Sequence, residues 1–380
     1  PRSTQSRSSA ASDVYKRQAD SHLKKLSIYF SRRGHEVHLI TWNFMGVDTH
    51  ILDGVDGVTV HYLGGNNPKF NKWFFPLTTP KIIKILREIQ PDILHTLYLL
   101  PYSVHGVLCG FHPHIAAAWG SDVLVAPQKN PIFKHMVKLV LAKADRINSV
   151  SPLVSTSCIR LGADASKIFI APIGVDTKLF TPSVDGDVVR RQLRWEKNPI
   201  IICTRNFEGI YNIDILINAM PYILEKKPDV RLILLGSGSL EDRFKQMVKK
   251  FGLVSAVKFT GYVPNEQVPK YLAASDVYVS PTLSDGLSVS NLEAMACGVF
   301  PIITDIPVAK YIITHGVNGF IAPTDSPKKL AELIVEALDD DKLREKAAEI
   351  NRRMVEEKYD LNVLTAQLEE EYRKLASKVC

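Results

Sequence analysis

The chain has 380 residues, of which 46% are hydrophobic and 23% charged, as in globular proteins long enough to form two domains. Its positive charge lies in the first half, where residues 1–180 carry 21 Lys and Arg against 12 Asp and Glu, while residues 181–380 carry 26 against 28. The composition excludes an intrinsically disordered chain, and no run of about 20 uninterrupted apolar residues predicts a transmembrane helix.

The first 18 residues differ from the rest of the chain. They are rich in Ser and Arg, show no apolar period, and end in SDVYKRQ, which resembles the translation of a sequencing adapter. We therefore predict that residues 1–18 are a non-native segment. The alternative is a natural basic tail that contacts anionic lipid.

Residues 19–180 alternate predicted helices and strands. The apolar residues of 21–33 recur at helical spacing, and further helices are predicted at 79–89 and 131–144. The predicted strands are apolar runs bounded by turn signals, at 36–42, 58–63, 92–97, 114–119, 146–151 and 167–172. This alternation predicts a Rossmann-like domain with a parallel, doubly wound sheet.

Basic residues recur in and beside the predicted helix at 131–144. They are Lys134, Lys138, Lys143 and Arg146. Because no aromatic stacking platform or known nucleic-acid motif accompanies them, we predict no nucleic-acid partner. We expect peripheral contact with an anionic membrane surface, with an ordinary solvated helix face as the alternative.

A second alternating set begins at Pro199, after a polar stretch at 181–197 that is predicted to be a linker. Its five strand candidates are PIIICT, VRLILLG, VKFTGY, VYVSP and VFPIIT. They predict a second doubly wound domain over 198–354, followed by a charged C-terminal helix over 355–380. Two such domains predict a ligand cleft between them, because ligands bind beyond the carboxyl ends of parallel strands.

The five cysteines form neither C-x-x-C pairs nor clusters with histidine at metal-ligand spacing. We therefore expect reduced thiols in a cytoplasmic protein, and no structural metal. No motif for a divalent metal is visible elsewhere in the chain.

The run SPTLSDGLSVSNLEAMACG, from Ser280 to Gly298, is the strongest functional signal in the sequence. Its pattern predicts that a buried strand at 277–281 is followed by a tight turn and a short helix at 288–296. Because a helix N-terminus offers free N–H groups and partial positive charge, a diphosphate can dock at Gly286, Leu287 and Ser288.

Two carboxylates, Asp285 and Glu293, flank this turn and stand seven residues apart in a D-x7-E arrangement. Asp285 lies beside the predicted diphosphate, and Glu293 lies about one turn inside the helix. Two acceptors separated in this way can each bind a pair of sugar hydroxyls. The alternative is a capping aspartate and a surface glutamate.

The same stretch resembles the E-x7-E signature of retaining GT-B glycosyltransferases of the GT4 type, the glycosyl transferases of group 1, with Asp285 in place of the first Glu. The resemblance extends from about His22 to Tyr372. In that family the second acidic residue binds the ribose of a nucleotide-sugar and the first contacts the transferred sugar. By resemblance these roles fall on Glu293 and Asp285.

The resemblance also carries expectations about architecture. It implies a GT-B fold, in which two Rossmann-like domains face a cleft and the last helix returns to the first domain. In the family, the place occupied here by residues 1–18 holds the first strand and a Gly-rich loop, so the first strand is expected to be missing from this sequence.

Arg205 stands at the end of the predicted strand PIIICT, where its guanidinium can fork onto a diphosphate. The family usually pairs such an Arg with a Lys five positions on, but this chain has Ile210. A variant with the spacing of Arg205, Glu208 and Tyr211 also resembles the family. We predict that Arg205 clamps the phosphates, with a surface arginine as the alternative.

The segment LLGSGSLEDRF contains a Gly-rich turn, in which Gly236 and Gly238 allow a ligand to approach the backbone. Its spacing differs from G-x-G-x-x-G, so an NAD site is disfavoured. In the resembled family this loop lies near the nucleotide, and the following FTGYVP flanks the base. We therefore expect Tyr262 and Val263 to meet an edge of the nucleobase through their backbone.

In the first domain, the predicted strand HIAAAW ends in Gly120 and Asp122. The family often has a His before this Gly, where the chain has Trp119. We predict that Asp122 positions acceptor or donor hydroxyls and that Trp119 forms an apolar wall for a sugar. The alternative is that Asp122 caps the following turn.

Together these features predict a glycosyltransferase that moves a sugar from a nucleoside-diphosphate sugar to a glycan or lipid-linked acceptor, with retention of configuration and without metal or other cofactor. Growing charge on the diphosphate would be stabilised by Arg205 and the helix N-terminus. The alternatives are a GT-B sugar-nucleotide epimerase and a non-catalytic protein that binds sugar nucleotides.

Overall fold

The computed structural model describes residues 22–41, 55–63 and 75–377, and it divides into two compact units. The N-terminal unit contains the described residues before Gly174 together with residues 362–377, and the C-terminal unit spans Gly174–Leu361. The predictions made for residues 1–18, including the missing first strand, lie outside the described residues. The boundary between the two units lies at Gly174, earlier in the chain than the predicted residue 180.

Helices and strands alternate in the N-terminal unit. Its elements are α1 (22–32), β1 (Val37–Thr41), β2 (Val58–Tyr62), α2 (Phe75–Ile89), β3 (Leu94–Leu97), α3 (Val104–Leu108), β4 (His114–Ala118), α4 (Ser121–Leu124), α5 (Ala126–Lys129), α6 (Pro131–Lys143), β5 (Arg146–Ser149), α7 (Pro152–Arg160) and β6 (Ile168–Ile170). Helix α2 begins earlier than predicted, at Phe75 instead of Thr79.

The strands of this unit are parallel but belong to two sheets. Strands β3, β4, β5 and β6 pair in that order, and β1 pairs only with β2. The single sheet expected from the sequence is thus observed as two, since no described strand bridges β1 or β2 to β3. The central strand β4 is buried along its whole length, as its run HIAAA predicts.

The C-terminal unit continues the alternation. Its elements are α8 (Asp187–Leu193), β7 (Ile200–Cys203), α9 (Ile213–Lys226), β8 (Arg231–Leu235), α10 (Glu241–Lys250), β9 (Val257–Gly261), α11 (Val268–Ala273), β10 (Val277–Ser280), α12 (Val289–Ala296), β11 (Phe300–Thr304), β12 (Phe320–Ala322), α13 (Pro327–Asp339) and α14 (Asp341–Lys358). The α/β fold class with parallel sheets in two domains is confirmed.

The stretch 181–197 is not a simple linker, because it contains helix α8 and belongs to the C-terminal unit. Val189 of α8 is buried, and Arg190 forms an ion pair with Asp276 at 3.1 Å. The polar composition that suggested a linker therefore reflects a short helix with one buried apolar side chain.

Six parallel strands form the sheet of the C-terminal unit, in the order β12, β11, β10, β7, β8, β9. Strand β10 lies directly beside β7, with Val277 opposite Ile201 and Tyr278 opposite Ile202. Buried side chains of β7, β8 and β10 join those of α9 and α13 in one continuous core. This core holds the carboxyl ends of the strands in fixed positions.

The last helix, α15 (Leu361–Ala376), packs within the N-terminal unit from Asn362 onward. Leu368 lies in a cluster with Leu26 and Phe30 of α1, and Tyr372 stacks on Phe30 with ring centroids 5.1 Å apart. The helix predicted at 355–380 thus begins later, because α14 ends at Lys358.

Candidate functional site

The predicted site in the C-terminal unit lies where the strand order reverses. From β7 the sheet grows through β8 to β9 on one side, and from β10 it grows through β11 to β12 on the other. At such a reversal the loops after the two central strands diverge and leave a crevice that commonly binds ligands. Arg205 follows β7, and Asp285 follows β10, so both predicted residues lie at this point.

The structure brings Arg205 and Asp285 into direct contact. Nη2 of Arg205 donates to Oδ2 of Asp285 at 2.6 Å, while Nη1 donates to Ser290 Oγ at 2.9 Å and also to Ser288 Oγ. The guanidinium lies over the ring of Tyr211, 4.3 Å from its centroid. Arg205 is therefore held from several sides by groups that suit a cation.

Arg205 remains protonated although it is buried. Only 6% of the residue is exposed. Burial is the largest single influence and lowers the pKa of the guanidinium, but the Asp285 carboxylate together with Tyr211 and Tyr278 more than offsets it and raises the pKa above its usual value. The guanidinium therefore stays charged, and in this structure its charge is paired with that of Asp285.

Helix α12 begins at Val289, directly after the backbone groups predicted to bind a diphosphate. Ser288 is its N-cap, and its hydroxyl accepts a hydrogen bond from the N–H of Asn291 at 3.4 Å. Gly286 and Leu287 immediately precede this cap. The predicted strand and helix of the signature are therefore confirmed, with a bend at Gly286 between them, and the contact of these amides with phosphate remains a prediction.

Glu293 lies on α12 and is half-buried. Its Oε1 accepts a hydrogen bond from Nδ2 of Asn265 at 3.4 Å. Asn265 follows β9 and was not singled out from the sequence. The only available signal was its position two residues after Val263, which the resemblance had placed at the nucleobase.

Two further residues, Tyr278 and Ser290, support Arg205 through hydrogen bonds and were not singled out from the sequence. The buried hydroxyl of Tyr278 donates to Ser290 Oγ at 3.2 Å, and Ser290 in turn accepts from Arg205. Burial raises the pKa of Tyr278 to about 12, which keeps its hydroxyl a donor. Ser290 in the first turn of α12 could have been recognised from the repeated serines of the signature.

The Gly-rich turn approaches protein backbone at its two glycines. A Cβ atom at Gly236 would lie 2.9 Å from the carbonyl oxygen of Arg205, and one at Gly238 would lie 2.5 Å from that of Phe207. The loop that carries Arg205 therefore requires glycine at both positions, and the approach of a ligand to this backbone remains a prediction. Gly236 acts on the site through that loop.

Tyr262 and Val263 follow β9, whose end is tied to β8 by a hydrogen bond from Gly236 N to Gly261 O at 3.0 Å. Tyr262 is 58% exposed, whereas the side chain of Val263 is buried. A contact of Val263 with a base would thus have to involve its backbone, while Tyr262 has an accessible ring. Both assignments remain predictions.

Asp122, in the N-terminal unit, does not present its carboxylate to a substrate. It is completely buried, and its oxygens accept hydrogen bonds from the N–H groups of Leu99 at 3.0 Å and Gly120 at 2.8 Å, as well as from Trp119. Burial raises its pKa, and these backbone hydrogen bonds oppose that shift. The predicted role in positioning hydroxyls is replaced by the capping role.

Trp119 is half-buried between two rings of the same unit. Its indole meets His22 edge-on at 5.6 Å and lies 6.3 Å from Tyr98. An imidazole from α1 therefore lies beside the position where the resembled family often has one. Among the described residues, no group of three or more His, Cys, Asp or Glu side chains could hold a metal ion.

Two family models match the chain and together cover most of it. The model described as glycosyl transferases group 1 matches residues 186–354, and the model described as glycosyl transferase 4-like matches residues 15–151. The first covers the whole crevice from Arg205 to Glu293.

Curated relatives and solved structures agree with these models. The chain is 30% identical over 207 residues to a GDP-mannose-dependent monoacylated alpha-(1-6)-phosphatidylinositol monomannoside mannosyltransferase of Corynebacterium glutamicum, covering 52% of this chain and 54% of that protein. It is 23% identical over 374 residues to a phosphatidyl-myo-inositol mannosyltransferase of Mycolicibacterium smegmatis, covering 94% and 90%. The structure matches HepE of Anabaena in complex with UDP-glucose with a TM-score of 0.79 at 20% identity, over 94% and 96% of the two chains.

Proposed function

Because the chain belongs to the glycosyl transferases of group 1 and has the GT-B fold, we propose that this glycosyltransferase moves a hexosyl group from a nucleoside-diphosphate sugar to a lipid-linked or glycan acceptor with retention of configuration. The observation that carries the donor assignment is the buried, charged guanidinium of Arg205 at the strand-order reversal, hydrogen-bonded to the first turn of α12. A fixed cation beside a helix N-terminus suits a diphosphate.

The donor would lie along the loops of the C-terminal unit. Its diphosphate would contact Arg205 and the amides at 286–288, its ribose would contact Glu293, and its base would lie near Tyr262. Asn265, bonded to Glu293, would orient that carboxylate for the ribose hydroxyls. One relative is named as GDP-mannose-dependent, and one fold neighbour holds UDP-glucose. Donors with guanine and donors with uracil should therefore both be tested.

The proposed reaction needs charge stabilisation more than acid–base chemistry. The bond between the sugar C1 and the β-phosphate oxygen breaks, the acceptor oxygen bonds to C1 on the same face, and the departing phosphate takes the acceptor proton. Arg205 and the α12 N-terminus would stabilise the charge that grows on the leaving diphosphate. Asp285 would orient the sugar, and the proposal requires no metal or other cofactor.

The acceptor side of the proposal includes contact with an anionic membrane. None of the helices in the described part of the chain is long and apolar enough to cross a bilayer. On α6, however, Lys134, Lys138 and Lys143 are exposed together with Ile132 and Leu139, which are 63% and 40% exposed. Exposed lysines beside exposed apolar side chains suit the surface of an anionic bilayer.

Arg146 does not belong to this proposed membrane surface, which we define as the exposed side chains of α6. Its guanidinium forms an ion pair with Glu371 of α15 at 2.6 Å and also donates to the carbonyl of Ser166. Of the four basic residues that the sequence grouped together, three are therefore retained.

The test is acceptor-dependent release of nucleoside diphosphate from a panel of UDP- and GDP-sugars, with phosphatidylinositol vesicles and soluble glycans as acceptors. We expect release with one donor, a product of unchanged anomeric configuration, and a loss of at least about a hundredfold in Arg205→Ala. Arg191→Ala, at an exposed site of the same unit, should behave like the wild type.

Other results would replace the proposal. Donor binding without release under any condition would indicate a non-catalytic binder, and conversion of the sugar within the nucleotide would indicate an epimerase. Absence of binding to every UDP- and GDP-sugar would overturn the donor assignment.

A further inference from the structure

The guanidinium of Arg205 is the fixed member of its ion pair with Asp285. Its side chain is 7% exposed, it follows the central strand β7, and Ser290 and Tyr211 hold it from two other directions. Moving it would break the hydrogen bonds to α12 and leave buried polar groups unpaired. If the ion pair opens, the residue that moves must therefore be Asp285.

Asp285 is the exchangeable member. It lies on the loop between β10 and α12, its side chain is 17% exposed, and its Oδ2 accepts the hydrogen bond from Nη2 of Arg205. The guanidinium is not saturated by its partners, because its buried Nε has no hydrogen-bond acceptor in the described structure. A larger anion with more acceptor oxygens could satisfy more of these donors than one carboxylate does.

The Asp285 carboxylate competes with a diphosphate for Arg205. Nη2 has two N–H groups, but the carboxylate oxygen 2.6 Å away takes one of them and places a negative charge against the guanidinium. The repulsion between this charge and an incoming diphosphate is strong in a site with little water. A donor that enters the crevice must therefore displace the carboxylate from Arg205.

We propose that Asp285 occupies, on Arg205, the place of the donor diphosphate, and that binding of the donor transfers this carboxylate from the guanidinium to the sugar. The inference rests on the proposed function. The sugar is bonded to the β-phosphate, so a carboxylate displaced by that phosphate stays within reach of the sugar hydroxyls. Asp285 thus balances the positive charge of Arg205 while no donor is bound. When a donor binds, its carboxylate becomes available to the sugar hydroxyls.

The test compares the binding of UDP and GDP, which lack a sugar, with that of the corresponding sugar nucleotides by isothermal titration calorimetry. Asp285→Asn removes the competing charge, so it should bind the nucleoside diphosphate about fivefold to tenfold more tightly than the wild type. The sugar nucleotide should gain less, because its contact with the carboxylate is lost. Asp285→Ser serves as a second variant in case the amide distorts the loop.

Two controls make the result specific to the ion pair. Asp339→Asn removes an equal charge from a 58% exposed side chain that pairs with Lys227, and it should leave affinity unchanged. In an Arg205→Ala background, the gain from Asp285→Asn should disappear, since no guanidinium remains to compete for.

Unchanged or weaker nucleoside diphosphate binding in both Asp285 variants would overturn the exchange, and so would an equal gain in the Arg205→Ala background. Each of these outcomes leaves the glycosyltransferase assignment intact. If the wild-type protein binds neither UDP nor GDP nor their sugars, the donor assignment itself fails, and the exchange fails with it.

Discussion

Glu208 accepts two hydrogen bonds from Ser239, one from the backbone N–H at 2.8 Å and one from the hydroxyl at 2.6 Å. The two residues belong to different loops, one after β7 and one after β8. The carboxylate therefore joins the loop that carries Arg205 to the Gly-rich turn. Phe207 adds two backbone hydrogen bonds between the same loops, with Ser237 and Leu240.

Replacing Glu208 by Ala should loosen the Arg205 loop. Two charge-assisted hydrogen bonds would be lost at a partly exposed site, so we expect the free energy of unfolding to fall by about 1–2 kcal/mol and nucleotide affinity to fall severalfold. Urea unfolding and titration calorimetry measure the two effects. Glu225→Ala, on the exposed side of α9, is the control, and an equal change in both variants would argue against the role of Glu208.

The close approach at Gly238 leads to a second prediction. A Cβ atom there would lie 2.5–2.8 Å from three backbone atoms of Phe207. Because backbone cannot move aside as a flexible side chain can, we expect Gly238→Ala to lower the free energy of unfolding by about 1–3 kcal/mol and to weaken nucleotide binding.

Gly209→Ala is the matched control for this substitution. Gly209 lies in the same Arg205 loop, but a Cβ atom there meets nothing within 4 Å. Its effect should stay within about 0.5 kcal/mol. A mild effect of Gly238→Ala, comparable with that of Gly209→Ala, would mean that the two loops are not tightly packed.

These loops show how far the sequence alone could lead. The strand and the helix on either side of Asp285 follow from local patterns of apolar residues and caps, and the structure has both. The ion pair with Arg205 does not follow from such patterns. It joins residues 80 positions apart and depends on β10 lying beside β7, which is a property of strand order.

The role predicted for Asp122 failed for the same reason. Asp122 follows a strand, as catalytic carboxylates often do, but only the folded backbone shows that Leu99 and Gly120 donate to its oxygens. Gly236 has a conformation suited to ligand approach, with φ of +147°, yet its close neighbour is Arg205. A sequence motif specifies a local conformation, and the packing around it decides what that conformation contacts.

The N-terminal unit should lose stability in mild acid. Burial lowers the pKa of His22 and of His95 to about 3, and that of His114 to about 4, from 6.5. Between these values and 6.5 the unfolded chain binds more protons than the folded one, so stability present near pH 7 is lost as pH falls. Each histidine should contribute up to about 2 kcal/mol of loss by about pH 5.

Urea unfolding at neutral and mildly acidic pH tests this expectation. His95→Asn removes one of these three imidazoles and should reduce the pH dependence, even where it lowers stability at neutral pH through the loss of the hydrogen bond between His95 and Tyr372. His135→Asn, at an exposed position of α6, should not change the pH dependence. The same slope in all three proteins would contradict the assignment.

The proposed membrane surface on α6 should bind anionic vesicles through its lysines. Reversing two charges with Lys134→Glu and Lys138→Glu should weaken binding to vesicles containing phosphatidylglycerol by at least about tenfold, since each basic residue near an anionic bilayer contributes about 1 kcal/mol. Binding of the wild type should weaken as salt screens the lipid charge. Vesicle co-sedimentation measures both effects.

The control for this experiment carries the same change in charge elsewhere. Lys249→Glu and Lys250→Glu reverse two exposed lysines of α10 in the C-terminal unit, so an effect of net charge would appear there equally. If the two double variants lose binding to the same extent, the attraction is general and α6 has no special role. If only the α6 variant loses binding, and Ile132→Ser weakens binding further at high salt, the apolar side chains of α6 contribute to the contact as well as the lysines.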